Sequence, residues 1–327
     1  MEASLTRARC WAVTDLDILA DNLSVLRRRV PDTCAFLAVI KANAYGHGMI
    51  PAARVCEERG VDYLGAAALS EAVQLREQGI SLPILILGVT DPSFAETMQE
   101  LRLTPAVPSL AYAEALSARI SRRGAPLAVH FCVDTGMGRL GPEVRDANMA
   151  ALCRDIASAA ELPGLYLEGL MTQLSSARGT TPEAEIYTRR QFKLFDTLAA
   201  AVRAQGVSLR YAHALNSGGI LHYPESCFDM VRVGHLLFEP IENDRGLIIR
   251  PVLEAAASLA YVKTLPAGAC IGYGRSHVLE KPSRIGVVSM GYCDGYSYAL
   301  SGRGSLLLRG HRVPVVGAVC MDQTMID

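Results

Sequence analysis

Residues 37–48 read LAVIKANAYGHG, and the change of pattern within this stretch is the first indication of the fold. The apolar first part has the length and the branched residues of a buried strand. The strand pattern ends at Lys41, and a tyrosine, a histidine and two glycines follow directly. Because a buried ammonium group is costly unless it is paired or loses its proton, this lysine is expected to have a lowered pKa and to act as a nucleophile. The stretch therefore predicts a strand that carries a reactive lysine at its carboxyl end.

The same alternation continues along the chain, where short apolar, β-branched runs are separated by longer amphipathic ones. A first helix is predicted over residues 15–30. In a later helix Ser70 can cap the start and Gly79 the end, and another helix has a proline in its first turn and a glycine after its last. Eight strands alternating with helices favour a (β/α)8 barrel of the TIM type over a doubly wound open sheet. The predicted strands lie near residues 34–40, 61–68, 83–88, 103–107, 127–133, 165–171, 209–214 and 229–233.

The pattern changes near residue 247, where helical periodicity gives way to strand-like runs parted by glycine and proline. The sequence therefore predicts two domains. The α/β barrel would occupy residues 12–242, and a mainly β domain would comprise residues 243–327 together with a first strand within residues 1–11. Because a strand-like run is still in progress at Asp327, this second domain is expected to be truncated at its C-terminus.

The charge balance and the cysteines limit the classes of partner. Lysine and arginine number 32 against 33 aspartate and glutamate, so no strong field favours nucleic acid or an anionic membrane surface. The nine cysteines are widely spread without a Cys-X-X-Cys pair, which indicates a reducing, cytoplasmic setting and no metal site. No apolar run approaches the ~20 residues of a membrane span. A small molecule is the expected ligand.

The unusual residues fall at the ends of the predicted strands, which is where (β/α)8 barrels hold their active sites. Lys41 ends the first strand, Arg139 in the motif DTGMGR follows the fifth, and TQLSS at residues 172–176 follows the sixth. The loops after strands seven and eight often bind phosphate in this fold. Here they contain NSGG at residues 216–219 and the pair Gly234 and His235.

A phosphate site and a strand-end lysine at one rim suggest a phosphorylated aldehyde held as a Schiff base on Lys41. Pyridoxal 5'-phosphate (PLP) is the obvious candidate. Each feature also has a plainer interpretation, with the lysine in a rim salt bridge, NSGG as a turn and Arg232 as a packing residue. Only their placement together favours a binding site.

Several motifs resemble, in the same order, those of the alanine racemases, which are PLP enzymes of fold type III with an N-terminal barrel and a C-terminal β domain. The resemblance extends to the related serine/alanine racemase modules and covers essentially the whole chain. The first motif is similar to the PLP-lysine signature of that family almost letter for letter. The motifs are AVIKANAYGHG (38–48), VDTGMGRLG (133–141), NSGG (216–219), DMVRVG (229–234), GYG (272–274), GYCDGY (291–296) and VCMDQTMID (319–327).

The resemblance implies a role for each matching residue. Lys41 would hold PLP and then act as one catalytic base, and Tyr273 from the partner subunit of a homodimer would be the other. Two bases are needed because a proton leaves one face of the α-carbon and arrives on the other. Arg232 would face the pyridine nitrogen and stay protonated there. The other implied contacts are Tyr45, Asn216, Ser217, Gly234 and His235 around the cofactor, Gln173 beside Arg232, and Arg139, Met321 and Asp322 near the substrate carboxylate.

The chain departs from the family pattern at several supporting positions, three of which bear on the activity. Gln173 stands where a histidine bonded to the pyridine-facing arginine is common, and its amide oxygen can still accept from Arg232. Cys132 replaces a lysine that is carbamylated in some members, and a thiol cannot form that carbamate beside Arg139. Ala318 replaces an arginine before the motif CMDQ. Such changes tune an active site more often than they abolish it.

The sequence, through this resemblance, predicts a cytoplasmic homodimer with shared active sites. It would be an isomerase that interconverts L- and D-alanine and so supplies D-alanine for peptidoglycan. Alternatives are a serine or broad-specificity racemase and a PLP-binding paralogue with little activity. A non-catalytic PLP carrier would lack the β domain that holds Tyr273, and a Schiff-base aldolase without PLP would leave Tyr45 and Arg232 unexplained. A membrane anchor upstream in a longer natural chain also stays open.

Overall fold

The computed structural model describes residues 8–121, 123–242 and 247–327. The chain divides into two compact units, one formed by Asp15–Val252 and the other by Leu253–Asp327 with the described residues before Asp15. The predicted first strand lies largely outside the described residues, and the strand that the structure shows there is β1 (Cys10–Thr14).

Eight parallel strands form a nearly closed barrel in the larger unit, as the sequence predicts. Between the first and last strands of the sheet, Asp229 N donates to Ala212 O over 3.0 Å and Arg232 N donates to Leu215 O over 2.9 Å. The strands are β2 (Ala35–Val39), β3 (Tyr63–Ala66), β4 (Ile84–Ile86), β5 (Leu103–Val107), β6 (Leu127–Cys132), β7 (Leu165–Met171), β8 (Tyr211–His213) and β9 (Met230–Val233). Their order in the sheet is β8-β7-β6-β5-β4-β3-β2-β9.

Helices follow most of these strands, as expected for a barrel of βα units. One segment assigned as helical, α2, is a single left-handed turn and is described with the site. The helices are α1 (Leu16–Arg27), α2 (Lys41–Tyr45), α3 (Met49–Glu58), α4 (Leu69–Glu77), α5 (Ala95–Glu100), α6 (Leu110–Ser117), α7 (Met149–Ala160), α8 (Pro182–Ala204) and α9 (Ser217–His222).

The helix ends follow capping chemistry, with one correction to the prediction. Asp15 caps α1 by accepting from Ile18 N, and Thr181 caps α8 in front of Pro182. The prediction that Ser70 caps a helix is wrong, because α4 already begins at Leu69 and the serine lies inside its first turn. Gly79, two residues after the end of α4, has the left-handed φ of +80° that is typical of a helix terminus.

The core has two parts, as a barrel with an outer ring of helices requires. Apolar side chains fill the space between the strands and the helices, and a smaller cluster lies inside the barrel. The inner cluster comprises Leu37, Val39, Tyr63, Leu85, Ala106, Cys132, Met171, Tyr211 and Met230. Several polar side chains are buried in the same strands, among them His130, Glu168, His213 and Arg232.

The smaller unit is mainly β, as predicted. β1 pairs with β12 (Leu253–Ala257), and β13 (Leu259–Leu265), β16 (Ser283–Val288) and β19 (Thr324–Ile326) form a three-stranded antiparallel sheet. Two short hairpins complete it, formed by β14 (Cys270–Ile271) with β15 (His277–Val278) and by β17 (Ser305–Leu308) with β18 (His311–Pro314). The strands β10 (Ile241–Glu242) and β11 (Ile248–Ile249) belong to the larger unit.

In the described parts of the chain, no helix is both long enough and apolar enough to cross a membrane.

Candidate active site

A cavity of about 490 Å³ opens at the carboxyl ends of the barrel strands. Every predicted site residue of the larger unit lines it. These residues are Lys41, Tyr45, Arg139, Gln173, Asn216, Ser217, Arg232, Gly234 and His235. The structure therefore brings together residues from loops that are far apart in the sequence, as expected when parallel strands end at one rim.

A left-handed turn connects Lys41 to Tyr45. The residues from Ala42 to Tyr45 have φ values between 51° and 54°, a region that costs residues other than glycine about 1–2 kcal/mol each. The turn returns the chain so that both Lys41 and Tyr45 line the cavity. Lys41 is only partly buried there, so the full burial expected from its position after an apolar strand is not observed.

The carboxylate of Glu71 on α4 holds this turn against the next strand. One oxygen accepts from Ala42 N over 2.8 Å, and the other accepts from Ala67 N over 2.7 Å. Asn43 also supports the turn, because its side-chain oxygen accepts from Met49 N over 2.9 Å. Contacts outside the turn thus offset the backbone strain stored at the site.

The loops after β8 and β9 form a cradle of glycines and hydroxyls. Ser217 Oγ accepts from Gly234 N over 3.1 Å, which joins the two loops. Asn216 accepts from Gly219 N and donates to Leu174 O, each over 3.0 Å. This arrangement fixes the Ser217 hydroxyl at the wall of the cavity.

Gly234 leaves the space that Tyr45 occupies. A Cβ atom on Gly234 would lie 2.1 Å from the Tyr45 hydroxyl oxygen, so any side chain there would displace the phenol. The Tyr45 ring lies 4.6 Å from the His235 ring, centroid to centroid. Burial raises the pKa of Tyr45, so its hydroxyl stays protonated and is available as a donor.

Arg232 lines the cavity with only 4% of its surface exposed. Its Nη1 donates to His213 Nδ1 over 2.7 Å, and its Nη2 donates to Thr172 O over 2.6 Å and to Gln173 Oε1 over 3.1 Å. The expected hydrogen bond between Gln173 and Arg232 is therefore present. Burial lowers the pKa of Arg232 to about 10, which still leaves the guanidinium charged at neutral pH. Among the described residues no acceptor faces its Nε.

The loop that carries Arg139 is organised by Asp134. This carboxylate accepts from Gly136 N over 2.8 Å, from Met137 N over 2.7 Å and from Arg139 N over 3.1 Å. The Arg139 guanidinium itself has no hydrogen bond to any residue that the structure describes. Burial raises the pKa of the neighbouring Cys132 to about 12, so its thiol carries no charge that could orient the arginine. The backbone of Arg139 is thus fixed and its head group is not.

The other three predicted site residues lie in the smaller unit. Tyr273 begins the turn between β14 and β15 and is 78% exposed. Gly272 before it needs its φ of +75°, and a Cβ on Gly317 would lie 2.8 Å from Ile271 O, so glycines shape this turn. Met321 is 59% exposed. The backbone oxygen of Asp322 accepts from Arg9 Nη1 over 2.8 Å.

Two groups of residues near the site were missed by sequence reasoning. Arg178 lines the cavity, and its Nη2 donates to Glu239 over 2.7 Å. The polar side chains buried inside the barrel, His130, Glu168 and His213, were also missed, although polar residues within apolar strand runs are a usable signal, since such residues are rarely buried without partners.

Comparison with known proteins shows a similarity that spans both units. A family model described as "Alanine racemase, N-terminal domain" matches residues 14–240, and one described as "Alanine racemase, C-terminal domain" matches residues 252–327. An alanine racemase of Desulfosudis oleivorans is 39% identical over 325 residues, which cover 97% of this chain and 83% of the relative. An alanine racemase of Desulfovibrio desulfuricans is 40% identical over 320 residues, which cover 97% of this chain and 84% of the relative.

Solved structures give the same result. An alanine racemase from Clostridium difficile 630 superposes with a TM-score of 0.88 and 29% identity, covering 99% of this chain and 83% of that chain. The alanine racemase from D-cycloserine-producing Streptomyces lavendulae superposes with a TM-score of 0.87 and 31% identity. The match covers 98% of this chain and 84% of that chain.

Proposed function

Because the chain belongs to the alanine racemase family, we propose that it interconverts L- and D-alanine with PLP held covalently on Lys41. The family membership makes the chain an isomerase and an alanine racemase. The observation that supports the cofactor assignment is the cavity that unites Lys41, Tyr45 and Arg232 at the carboxyl rim of the barrel. Its volume of about 490 Å³ lies in the range of small-molecule sites.

The residues of the cavity fit PLP in three respects. Lys41 provides an amine for the aldehyde at the cavity wall. The Tyr45 and Ser217 hydroxyls with the glycine backbone provide donors for a phosphate, and Gly234 is needed for Tyr45 to reach there. The charged Arg232, with Nε left without a protein acceptor among the described residues, provides a donor for a ring nitrogen.

Bound PLP would supply an electron sink for the negative charge that develops when the α-proton is lost. Arg232 keeps its own proton, since its pKa is about 10, and would therefore donate to the ring nitrogen of bound PLP without protonating it. Its contacts with Thr172 and Gln173 hold the guanidinium in one orientation. Arg232 would thus limit how far negative charge spreads into the ring of bound PLP.

Proton transfer at the α-carbon needs one base on each face. Lys41 supplies the first, and we propose that Tyr273 of the partner subunit supplies the second, which makes the active sites shared in a homodimer. The exposure of Tyr273 on its turn supports this role. Arg139, Met321 and Asp322 are proposed to bind near the substrate carboxylate. The described cysteines are free thiols, which supports a cytoplasmic enzyme that supplies D-alanine for peptidoglycan.

A chiral assay with added PLP tests the function. After unbound PLP is removed, the protein is expected to retain a visible absorbance band and to convert L-alanine to D-alanine, with L-serine as the comparison substrate. Lys41→Ala should lose both the band and the activity, whereas Lys193→Ala, at an exposed position on α8, should keep both. A band that persists in Lys41→Ala would overturn the cofactor assignment. Conversion of L-serine faster than of L-alanine would reassign the substrate.

Replacement of Tyr273 by Phe tests the second base. Racemisation in both directions should slow by about 10²–10⁴-fold, because each turnover uses both bases. In D2O, however, one enantiomer of alanine should still exchange its α-proton through Lys41 without inversion, and the other should exchange slowly. Equal exchange of both enantiomers would show that Tyr273 is not the second base.

A further inference from the structure

A chain of hydrogen bonds crosses the barrel interior from Arg232 to Glu168. Arg232 Nη1 contacts His213 Nδ1 over 2.7 Å, and His213 Nε2 contacts His130 Nδ1 over 2.8 Å. His130 Nε2 then lies 3.4 Å from Glu168 Oε2. Both histidines are fully buried, and Glu168 is 4% exposed. The residue that faces the candidate cofactor is therefore connected to a carboxylate by two imidazole rings.

While Arg232 stays charged, the protons in this chain of hydrogen bonds can be arranged in only one way. Arginine only donates, so His213 Nδ1 must accept and the proton of that ring must lie on Nε2. His213 then donates to His130 Nδ1, and the proton of the second ring must also lie on Nε2. His130 finally donates to Glu168, which accepts as a carboxylate. The reverse direction would place an N–H of His213 against an N–H of Arg232.

A bulge in β7 aims Glu168 into the barrel. Leu167 pairs with Val129 and Gly169 pairs with His130, so Glu168 is an extra residue between them. Bulges reorient a side chain in this way at functional sites. Gly169 completes the arrangement, because a Cβ there would lie 2.8 Å from the His130 ring. The local backbone is thus shaped around the contact between His130 and Glu168.

The surroundings of Glu168 favour its charged form. Arg210 Nη1 donates to Glu168 over 3.2 Å, and the Tyr63 hydroxyl donates to the same carboxylate. Burial by itself would raise the pKa of Glu168, but the hydrogen bonds from His130 and Tyr63 bring it below its usual value. Burial and the charge of Arg232 hold the pKa of His213 well below its usual value, so this ring is neutral.

We propose that Glu168 is a positioning residue that sets the tautomers of His130 and His213 and thereby keeps His213 Nδ1 as an acceptor for Arg232. Without a charged acceptor beside His130, the proton of either imidazole can lie on Nδ1 instead of Nε2. A proton on His213 Nδ1 would face Arg232 and push the guanidinium away from the pyridine nitrogen of the cofactor. The catalytic part of this inference rests on the proposed function, since Arg232 affects racemisation only when it faces PLP. The tautomers themselves do not depend on it.

The test is Glu168→Gln, an isosteric change that removes the charge, with Tyr63→Phe as the matched control. Tyr63→Phe removes another hydrogen bond to the same carboxylate but leaves the charge. The first measurement is the ¹⁵N spectrum of the histidine rings without PLP, assigned with single histidine variants. Wild type and Tyr63→Phe should show protonated Nε2 and bare Nδ1 in both rings. In Glu168→Gln, His213 should carry a proton on Nδ1 in a measurable fraction of the molecules.

The second measurement is activity of the PLP-loaded enzyme. Glu168→Gln should lower kcat about 10–100-fold with little change in KM, and it should shift the visible absorbance of the cofactor. If Glu168→Gln does not fold, His130→Asn interrupts the same hydrogen bonds between Glu168 and His213. A proton on His213 Nδ1 and a lower kcat are then expected, as for Glu168→Gln. Unchanged His213 tautomer and kcat in a folded variant would overturn the proposal. A wild-type protein without racemase activity would instead contradict the proposed function, while the ring spectra would still decide the tautomers.

Discussion

Gly234 shows how far the candidate site depends on single atoms. The missing side chain lets the Tyr45 hydroxyl lie beside the backbone of the loop after β9, where Ser217 also provides a hydroxyl. At two other positions, Arg232 and Cys132, the presence of a proton decides the charge of the side chain. The Arg232 guanidinium stays charged and Cys132 stays neutral, so their roles differ although both line the same cavity.

Gly234→Ala should weaken PLP binding about tenfold or more, because the new methyl group displaces the Tyr45 hydroxyl from the phosphate. The affinity is measured by titration of the apo protein with PLP. Tyr45→Phe provides the control, since it removes the same hydroxyl without changing the loop. The alanine substitution should then cost less in the Tyr45→Phe background than alone, as expected for two changes that affect one contact. Fully additive losses would contradict this explanation.

At the scale of elements, two departures from regular structure place the functional groups. The left-handed turn after β2 lets Lys41 and Tyr45 reach one cavity, and the bulge in β7 aims Glu168 into the barrel. Neither is a property of an ideal strand or helix. Both are held by side chains of neighbouring elements, with Glu71 on α4 supporting the turn and His130 on β6 contacting the bulge.

Glu71→Gln should destabilise the turn, because an amide has one acceptor oxygen where the carboxylate accepts from both Ala42 N and Ala67 N. A loss of about 1–3 kcal/mol in the free energy of unfolding is expected, together with weaker PLP binding. Urea unfolding and PLP titration measure the two effects. Glu77→Gln is the matched control, since Glu77 is exposed on the same helix. Equal effects of the two substitutions would show that the turn does not depend on Glu71.

At the scale of the whole molecule, the barrel interior contains both an apolar cluster and a connected set of buried polar side chains. The two buried histidines are tolerated in this interior because each of their ring nitrogens has a partner along the chain of hydrogen bonds. Such a network makes the stability of the entire barrel depend on the protonation of groups far from any surface.

The stability of the protein should therefore fall on mild acidification. Burial lowers the pKa of His130, and burial with the charge of Arg232 holds that of His213 well below the usual value. Below about pH 6.5 the unfolded chain binds protons that these folded-state rings do not, so the free energy of unfolding decreases as the pH falls. The slope is up to about 1.4 kcal/mol per pH unit for each histidine.

Urea unfolding between about pH 8 and about pH 5.5 measures this slope. Glu168, whose pKa lies below its usual value, stays ionised over this range and does not contribute. His213→Asn should reduce the slope, whatever its effect on the absolute stability. An identical slope in this variant would contradict the assignment of the pH dependence to the buried rings.

The sequence by itself determined the eight barrel strands, the mainly β second unit and the rim at which the unusual residues meet. These follow from periodicity and chain order, because the carboxyl ends of parallel strands lie at one edge. The match of motifs in order also predicted the family. The roles assigned to the individual site residues, Tyr273, Met321 and Asp322 among them, stay predictions.

Only the tertiary structure decided which side chains face each other across the barrel. Tyr63 and Glu168 are 105 residues apart, and His130 and His213 are 83 apart. Periodicity reports which face of a strand is buried, but it does not report what lies opposite. For the same reason the sequence predicted a buried Lys41 and a cap at Ser70, whereas Lys41 is only partly buried before a left-handed turn held by Glu71, and α4 begins at Leu69.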